Sequence, residues 1–273
     1  MKHIAIFGMK FTRQSLDYVH EVHGECQKRG WNVVMEEDML NHLKSKYDFS
    51  LPCKTYATEQ DFKKGIDYMI CLGGDGSFLR AVRFVRDSGV PILGINTGRL
   101  GFLSNISKEA IGETFQLLED KKYEFQKRSL IRVRTQDELF GLENFALNEL
   151  TISKKDTSSM ITVHAKLDGK YLNSYWADGL IVSTPTGSTG YNLSCGGPII
   201  TPGCQVHIIT PIAAHNLNVR PVVVPDHLPI DLTLESRDRT CLVSLDGVTK
   251  NIKQGEEIRV TKAEFLINVI KFE

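Results

Sequence analysis

Charge of either sign is not in excess in this chain: Lys plus Arg number 33, and Asp plus Glu number 33, in 273 residues. A neutral total gives no support to bulk binding of nucleic acid or of a membrane surface. Long apolar runs are lacking too, and none approaches the ~20 residues that a membrane helix needs. The opening Met1-Lys2-His3-Ile4-Ala5-Ile6-Phe7-Gly8 is too short an apolar run for a signal peptide. Six cysteines (Cys26, Cys53, Cys71, Cys195, Cys204, Cys241) include no C-x-x-C pair. Their scatter argues against a zinc site or a disulfide framework and suits a reducing cytosol. Cys71 lies in an apolar run and reads as core packing. His20 and His23 are spaced for one helix face, but with no carboxylate or third histidine in pattern they read as solvated surface. The expectation is a cytoplasmic protein with no nucleic-acid or membrane partner and no metal ligands of its own.

What is present is an ordinary globular balance, 41% hydrophobic and 24% charged, enough for a sizeable core in two modest domains. The first ~125 residues alternate short apolar runs with amphipathic stretches, the pattern of a parallel α/β sheet. Ile4–Phe7, Asn32–Met35, Tyr68–Leu72 and Pro91–Ile95 read as strands, and Ser15–Arg29 and Phe78–Asp87 as helices. Trp31, Phe84 and Phe115 read as core. After Lys127 the grammar changes to short strand-like runs: Ile131–Thr135, Phe145–Ile152, Ile161–Leu167, Leu180–Ser183, Asp231–Glu235, Cys241–Leu245 and Glu257–Val260. Asp168-Gly169 and Asp246-Gly247 are hairpin-turn signals between them. One helical segment is expected near Cys204–Ala213. The prediction is an α/β Rossmann-like domain over 1–126 and an all-β sandwich-type domain over 127–273.

Four stretches carry chemistry. Leu72-Gly73-Gly74-Asp75-Gly76-Ser77-Phe78-Leu79-Arg80 follows a buried strand and opens a helix. Its glycines let backbone N–H groups approach phosphate oxygens, and the helix aims its positive end at the same anion. No Gly-Lys-Ser/Thr follows, so this is not a Walker A loop, and Leu79 breaks the dinucleotide fingerprint. Set against a plain tight turn, the aspartate inside the loop is what favours a phosphate site. Gly94-Ile95-Asn96-Thr97-Gly98-Arg99-Leu100-Gly101-Phe102-Leu103 is a second strand running into a glycine-rich loop, where Arg99 is either a phosphate contact or a surface arginine. Asn148-Glu149, at a strand end, can read an adenine edge and accept from ribose hydroxyls, though alone such a pair is more often a turn. The run Asp178–Ser194, rich in glycine and small hydroxyl residues, reads as a binding loop rather than a linker, because Tyr191 and the flanking Gly196-Gly197-Pro198 are not linker chemistry.

In this order, and with Pro211-Ile212-Ala213-Ala214-His215 leading to Arg220-Pro221, these stretches resemble the NAD kinase family, ATP- or polyphosphate-dependent NAD 2′-kinases. The Gly-Gly-Asp-Gly loop is shared with phosphofructokinases and with diacylglycerol and sphingosine kinases; the hydroxyl-rich run narrows the resemblance to NAD. It implies a Rossmann-like domain, a β-sandwich and a homodimer or homotetramer. It places the catalytic aspartate on Asp75, as base for the ribose 2′-hydroxyl, with Gly73, Gly74 and Gly76 on phosphates. It places NAD contacts on Asp75, Gly76, Arg80, Asn148, Glu149, Asp178, Thr189, Gly190, Tyr191, Asn192, Leu193, Ser194 and Ala213. ATP is the implied donor, carrying a divalent metal, usually magnesium.

Three departures from the family pattern stand out. Gly190 occupies a position where alanine is usual. Val248 follows Asp246-Gly247 where many bacterial members have glutamine, which puts a polar NAD contact there in doubt. The chain stops at Glu273, soon after the strand-like Phe265–Ile270, where many members continue into a segment packing back on the first domain. Two competing readings remain at this point: a lipid or sugar kinase sharing the glycine loop, and an NAD-sensing module that transfers nothing. A sensor has no need of a carboxylate among phosphates, so Asp75 discriminates against it.

Overall fold

The apolar run after His3 forms strand β1 (His3–Gly8), with Ile4 through Gly8 buried. Burial on both faces is the mark of a parallel strand covered by helices. The computed structural model describes residues 1–9, 11–98, 100–155 and 159–272. The chain divides into two units, Met1–Lys127 with Ile267–Glu273, and Arg128–Leu266.

In the first unit, β1 is followed by α1 (Arg13–Lys28), β2 (Asn32–Glu36), α2 (Glu37–Tyr47), β3 (Lys54–Tyr56), β4 (Tyr68–Leu72), α3 (Asp75–Val85), β5 (Ile92–Asn96), β6 (Ile106–Ser107) and α4 (Ile111–Glu119). Thr12 starts α1 with a capping box closed by Ser15, which satisfies two N–H groups the helix leaves open. The sheet order is β3-β2-β1-β4-β5, all parallel. Strand order reverses between β1 and β4, and such switch points open a crevice beyond the strands' carboxyl ends. The chain's last strand joins this sheet beside β5 through Val269 and Ile92. Trp31, 9% exposed, stacks on buried Phe115 with centroids 5.8 Å apart, while Phe84 is half-buried. Cys71 is core, as expected. His23 is not the surface residue that its spacing suggested: it is buried, and burial lowers its pKa. Helix α3 starts at Asp75, three residues before the expected Phe78, so the aspartate is its first residue.

The second unit takes in most of β7 (Glu124–Thr135), then β8 (Phe145–Ala146), β9 (Glu149–Lys154), β10 (Ile161–Leu167), β11 (Lys170–Ala177), β12 (Gly179–Ser183), a single turn α5 (Tyr191–Ser194), β13 (Val206–Ile212), β14 (Val222–Pro225), β15 (Ile230–Glu235), β16 (Thr240–Leu245), β17 (Val248–Lys253) and β18 (Glu257–Lys271) as far as Leu266. One antiparallel set runs β11-β10-β15-β18; a second runs β14-β13-β12-β9-β16-β17. Val163, Leu232, Leu234 and Ile258 of the first set share a core with Ile152, Val182, Ile209 and Val243 of the second, as in a sandwich. The Asp168-Gly169 and Asp246-Gly247 turns both have positive φ at each residue (50° and 74°, 46° and 84°), the backbone of two-residue hairpins.

The segment expected to be helical near Cys204–Ala213 is strand β13. Its Ile208 and Ile209 pair with β12 on one side and β14 on the other, and Val206 pairs with β14. Pro211 pairs with Leu180 of β12 but lies beyond the last β14 pair, Ile209 with Val222, so one side of it is a sheet edge, where proline is tolerated. Phe145–Ile152 likewise is not one strand: it breaks at Leu147 and Asn148, for a reason found at the site below.

His207, on β13, is fully buried and neither ring nitrogen has a hydrogen-bond partner among the described residues. Burial pushes its pKa down to about 4; nearby Asp226 pulls it up and Lys262 pulls it down. Because the folded value lies below the unfolded one, the unfolded chain binds the proton more readily between pH 4 and 6.5. The contribution is present above pH 6.5 and is lost as pH falls toward 4, about 3 kcal/mol in all. His207→Leu is expected to flatten the pH dependence of the urea midpoint across that window. An unchanged slope would show that the imidazole is not the group responsible.

Candidate functional site

In the first unit the two glycine motifs meet at one carboxylate. Asp75 Oδ2 accepts the backbone N–H of Phe102 at 3.0 Å, and Oδ1 accepts those of Leu103 and Ser104, each at 3.0 Å. The loop is drawn in so closely that a Cβ on Gly101 would lie 2.2 Å from Asp75 Oδ1. Only glycine allows that approach. Asn96, at the end of β5 and buried, ties down the same loop: its Nδ2 donates to Ser104 O at 3.1 Å and its Oδ1 accepts from Gly98 N–H at 2.7 Å. Gly74 and Gly76 are different, because a Cβ at either would meet nothing within 4 Å and neither has positive φ. The chain itself does not demand glycine there; what is left is open space before the first turn of α3. The Ser77 N–H is taken by Gly74 O at 2.9 Å, while those of Asp75 and Gly76 are among the groups that a helix start leaves open to an anion. Arg80 is exposed on the same helix. Arg99 lies outside the described residues.

In the second unit, a second aspartate does the same work. Asp246 accepts from the N–H groups of Leu147 (2.7 Å), Asn148 (2.9 Å) and Glu149 (3.1 Å). These are the bonds that break Phe145–Ile152 into β8 and β9, because three successive N–H groups point at one side chain and not at a strand. The hydroxyl-rich run closes on the same turn: Thr184 N–H donates to Asn148 O at 2.9 Å, and Thr184 Oγ1 bonds Leu147 O. Glu149 Oε2 is buried with no hydrogen-bond partner among the described residues. Burial, with the Asp246 charge second, pushes the Glu149 pKa up to about 8. A carboxyl held neutral near pH 7 can donate a hydrogen bond as well as accept one.

Gly190 sits against this pair. A Cβ there would lie 3.4 Å from Glu149 Oε2, 3.7 Å from Asn148 Nδ2 and 3.3 Å from Gly187 O. Its φ is −89°, outside the left-handed region that favours glycine. Gly190→Ala is therefore expected to fold with an unchanged melting temperature and to keep turnover and KM for NAD within about twofold. A large rise in KM would mean that the 3.3 Å contact cannot relax or that a ligand occupies the methyl's place.

The remaining expected contacts divide by exposure. Tyr191, Leu193 and Ser194 are exposed, Thr189 is partly buried, and Asp178 is ion-paired to Lys154 at 2.6 Å. Asn192 is different in kind. It is fully buried, its Nδ2 donates to Ser188 O and Pro198 O, and its Oδ1 accepts from Thr210 Oγ1 at 2.6 Å. Its side chain is spent on the loop, which leaves only backbone to offer a ligand. Ala213 has φ 47° and follows Ile212, whose carbonyl accepts the Asp178 N–H at 3.0 Å. Val248 opens β17 directly after the Asp246-Gly247 turn. Among the described residues no three or more His, Cys, Asp or Glu are grouped to hold a metal ion, and no helix is long and apolar enough to cross a membrane.

A Rossmann-like unit with a glycine loop at a helix start, and a β-sandwich unit with a polar cradle, make a two-domain protein suited to binding nucleotide phosphates. Residues 4–123 match the ATP-NAD kinase N-terminal domain and residues 147–272 the ATP-NAD kinase C-terminal domain. The chain belongs to the ATP-NAD kinase family. It is 44% identical over 270 residues to an NAD kinase of Flavobacterium psychrophilum, covering 98% of this chain and 92% of that one. An NAD kinase of Porphyromonas gingivalis is 40% identical over 272 residues, covering 99% and 93%. Among solved structures, an NAD kinase from Archaeoglobus fulgidus in complex with ATP superposes with a TM-score of 0.76 at 27% identity, covering 99% of this chain and 94% of that one. Yeast NADH kinase complexed with NADH shares the fold, with a TM-score of 0.88 at 24% identity, over 100% of this chain and 84% of that one.

Proposed function

We propose that the chain is an NAD kinase that transfers the terminal phosphoryl group of ATP to the 2′-hydroxyl of the adenosine ribose of NAD. The observation that carries this reading is the match, at 44% identity across 98% of the chain, to a protein named NAD kinase. Several contacts support roles for particular residues in it. Gly73, Gly74 and Gly76 receive phosphate oxygens at the positive end of α3, where charge neutralisation and positioning do most of the work of phosphoryl transfer. Asp75 has three of its roughly four acceptor positions filled by N–H groups, and the one left on Oδ2 takes the ribose hydroxyl. As the 2′ oxygen bonds to the terminal phosphorus, the bond from that phosphorus to the bridging oxygen breaks. ADP leaves with that electron pair, and the hydroxyl proton passes to Asp75. Asn148 and Glu149 recognise the adenosine of NAD, with Asp178, Ala213 and the Thr189–Ser194 turn lining its path and Arg80 facing phosphate. Magnesium enters with ATP as part of the substrate. The protein works in the cytoplasm as a homodimer or homotetramer, a state that light scattering reads directly.

The test supplies NAD, Mg-ATP and the purified chain, and measures NADP with an NADP-specific dehydrogenase. NADP should accumulate, and an NAD analogue lacking the adenosine 2′-hydroxyl should bind yet give no phosphorylated product. Phosphorylation of the analogue, or of fructose 6-phosphate or diacylglycerol in place of NAD, overturns the reading.

A further inference from the structure

The outer face of the β11-β10-β15 sheet in the second unit carries a polar cluster that none of the roles above uses. Strand register puts it there. Val163 of β10 lies opposite Tyr175 of β11 and Leu234 of β15, and all three are buried, so these positions face the core. One residue on, His164 lies opposite Ser174 and Thr233, on the other face, since side chains alternate along a strand. Ser174 Oγ is 2.7 Å from His164 Nδ1, and His164 Nε2 is 3.2 Å from Oε1 of Glu235, a diagonal neighbour on β15. A fourth member is brought in by an irregularity. Tyr171 stands three residues before Ser174, a spacing that puts two side chains on opposite faces of a regular strand. Here the pairing shifts between Ala165 with Asn173 and Lys166 with Tyr171, leaving Leu172 over. Such a bulge re-aims a side chain, and the Tyr171 hydroxyl comes to 3.0 Å from Ser174 Oγ.

Every bond in the cluster acts on one oxygen. The Glu235 carboxylate accepts from Nε2–H, which fixes the imidazole tautomer with Nδ1 as acceptor. Nδ1 then accepts from the Ser174 hydroxyl, and the Tyr171 O–H donates to Oγ, where it steadies charge as the proton leaves. Nucleophile, base and orienting carboxylate are the parts of a catalytic triad. We propose that Ser174 is an activated nucleophile, a surface acylation site that takes the acyl group of a thioester. Oγ bonds to the thioester carbonyl carbon while its proton passes to His164 Nδ1. The carbon–sulfur bond breaks, the electron pair leaves on sulfur, and the imidazolium gives its proton to that thiolate. The products are O-acylated Ser174 and a free thiol. Exposure selects this donor class: Tyr171 is 67% exposed and the Glu235 side chain 65%, so reactivity comes from the donor's own activation and not from recognition in a pocket. Nothing in this step depends on the kinase reading.

The test incubates the full chain with S-acetyl-N-acetylcysteamine, a small acetyl thioester, and locates acetyl groups by tandem mass spectrometry of the digest. Acetyl should accumulate on Ser174 faster than on the exposed lysines beside it, Lys166 and Lys170, which report undirected acetylation and serve as internal reference. His164→Gln should slow acetylation of Ser174 by about 10²-fold or more, the usual worth of a general base, and leave the lysine rates unchanged. Glu235→Gln should act in the same direction by a smaller factor. An unchanged melting temperature shows that each variant has folded. Should His164→Gln fail to fold, Glu235→Gln, altered at a mostly exposed side chain, decides by the same criterion. Ser174 left unacetylated, or acetylated at an unchanged rate in the folded variant, overturns the proposal and makes the cluster a solvated hydrogen-bond network. Acetyl on Tyr171 in place of Ser174 overturns it as well.

Discussion

Asp75→Asn is expected to lower turnover by about 10²–10⁴, the usual worth of general-base assistance, or roughly 3–5 kcal/mol of barrier. The carboxylate's three N–H partners sharpen this expectation. Asparagine offers one oxygen in place of two, so its NH₂ must face either the Phe102 N–H or the Leu103 and Ser104 pair. A donor then opposes a donor, at least cost on the Phe102 side, where the bond is exposed and water can replace it, so the loss falls below the about 1–3 kcal/mol of a buried N–H without a partner. The loop at 101–104 is therefore expected to loosen along with the loss of the base, and thermal unfolding should register it. Gly101→Ala separates the two contributions, because its Cβ would push on the same carboxylate without removing charge. If proton acceptance dominates, Asp75→Asn loses far more turnover than Gly101→Ala; if the clamp dominates, the two variants fall together. Loose phosphoryl-transfer transition states need little proton removal, which favours the second pattern. Direct NAD titration completes the test: unchanged turnover removes Asp75 from the chemistry, and collapsed NAD binding makes it chiefly a ligand contact.

Asp246→Asn is expected to raise KM for NAD by about 10–100-fold, since it disturbs charge-assisted bonds worth about 1.5–3 kcal/mol to the turn that presents Asn148 and Glu149. It also removes the second cause of Glu149's high pKa. In the wild-type chain Glu149 keeps its proton up to about pH 8, so NAD affinity should have an alkaline limb there. The variant should bring that limb to lower pH. Stability follows the same sign: Glu149's folded pKa is raised, so its contribution is full below the unfolded value of 4.5 and is lost as pH rises through 8. KM for NAD measured from pH 6 to 9 in both proteins is the check, with the assay window set by the Glu149 value. An alkaline limb that does not move in the variant would detach Glu149 from NAD recognition.

Both glycine motifs, the Asn148-Glu149 pair and the hydroxyl-rich run were legible because each is a local pattern next to a strand end. Their connections were not. Asp75 reaches N–H groups 27 to 29 residues away, and Asp246 reaches groups 97 to 99 away. No periodicity encodes such partners, so Asp246 read only as half of a hairpin turn. Asn96 had the same fate within its motif. Asn192 was legible as part of the loop, but its burial among Ser188, Pro198 and Thr210 depends on a sandwich that one segment cannot foretell. Strand β13 stands where a helix is expected because an isolated apolar run with a proline has no local feature that separates buried strand from helix; its two neighbours decide it. Helices α2 and α4 are short, and the first is marked only by its cap Glu36 and the Leu40–Leu43 face.

The bond between Asp246 and the Leu147–Glu149 turn sets an order in time on the growing polypeptide. At translation rates of about 5–20 residues per second, roughly 5–20 s separate the emergence of that turn from the arrival of the aspartate. During the interval three successive amides face water with no carboxylate to gather them, and Glu149 lacks the neighbour that helps keep it protonated. The cradle therefore forms only when most of the second unit has left the ribosome, so a nascent chain has nothing with which to sequester dinucleotide early. Messages truncated before codon 246 should yield products that dinucleotide cannot rescue from proteolysis.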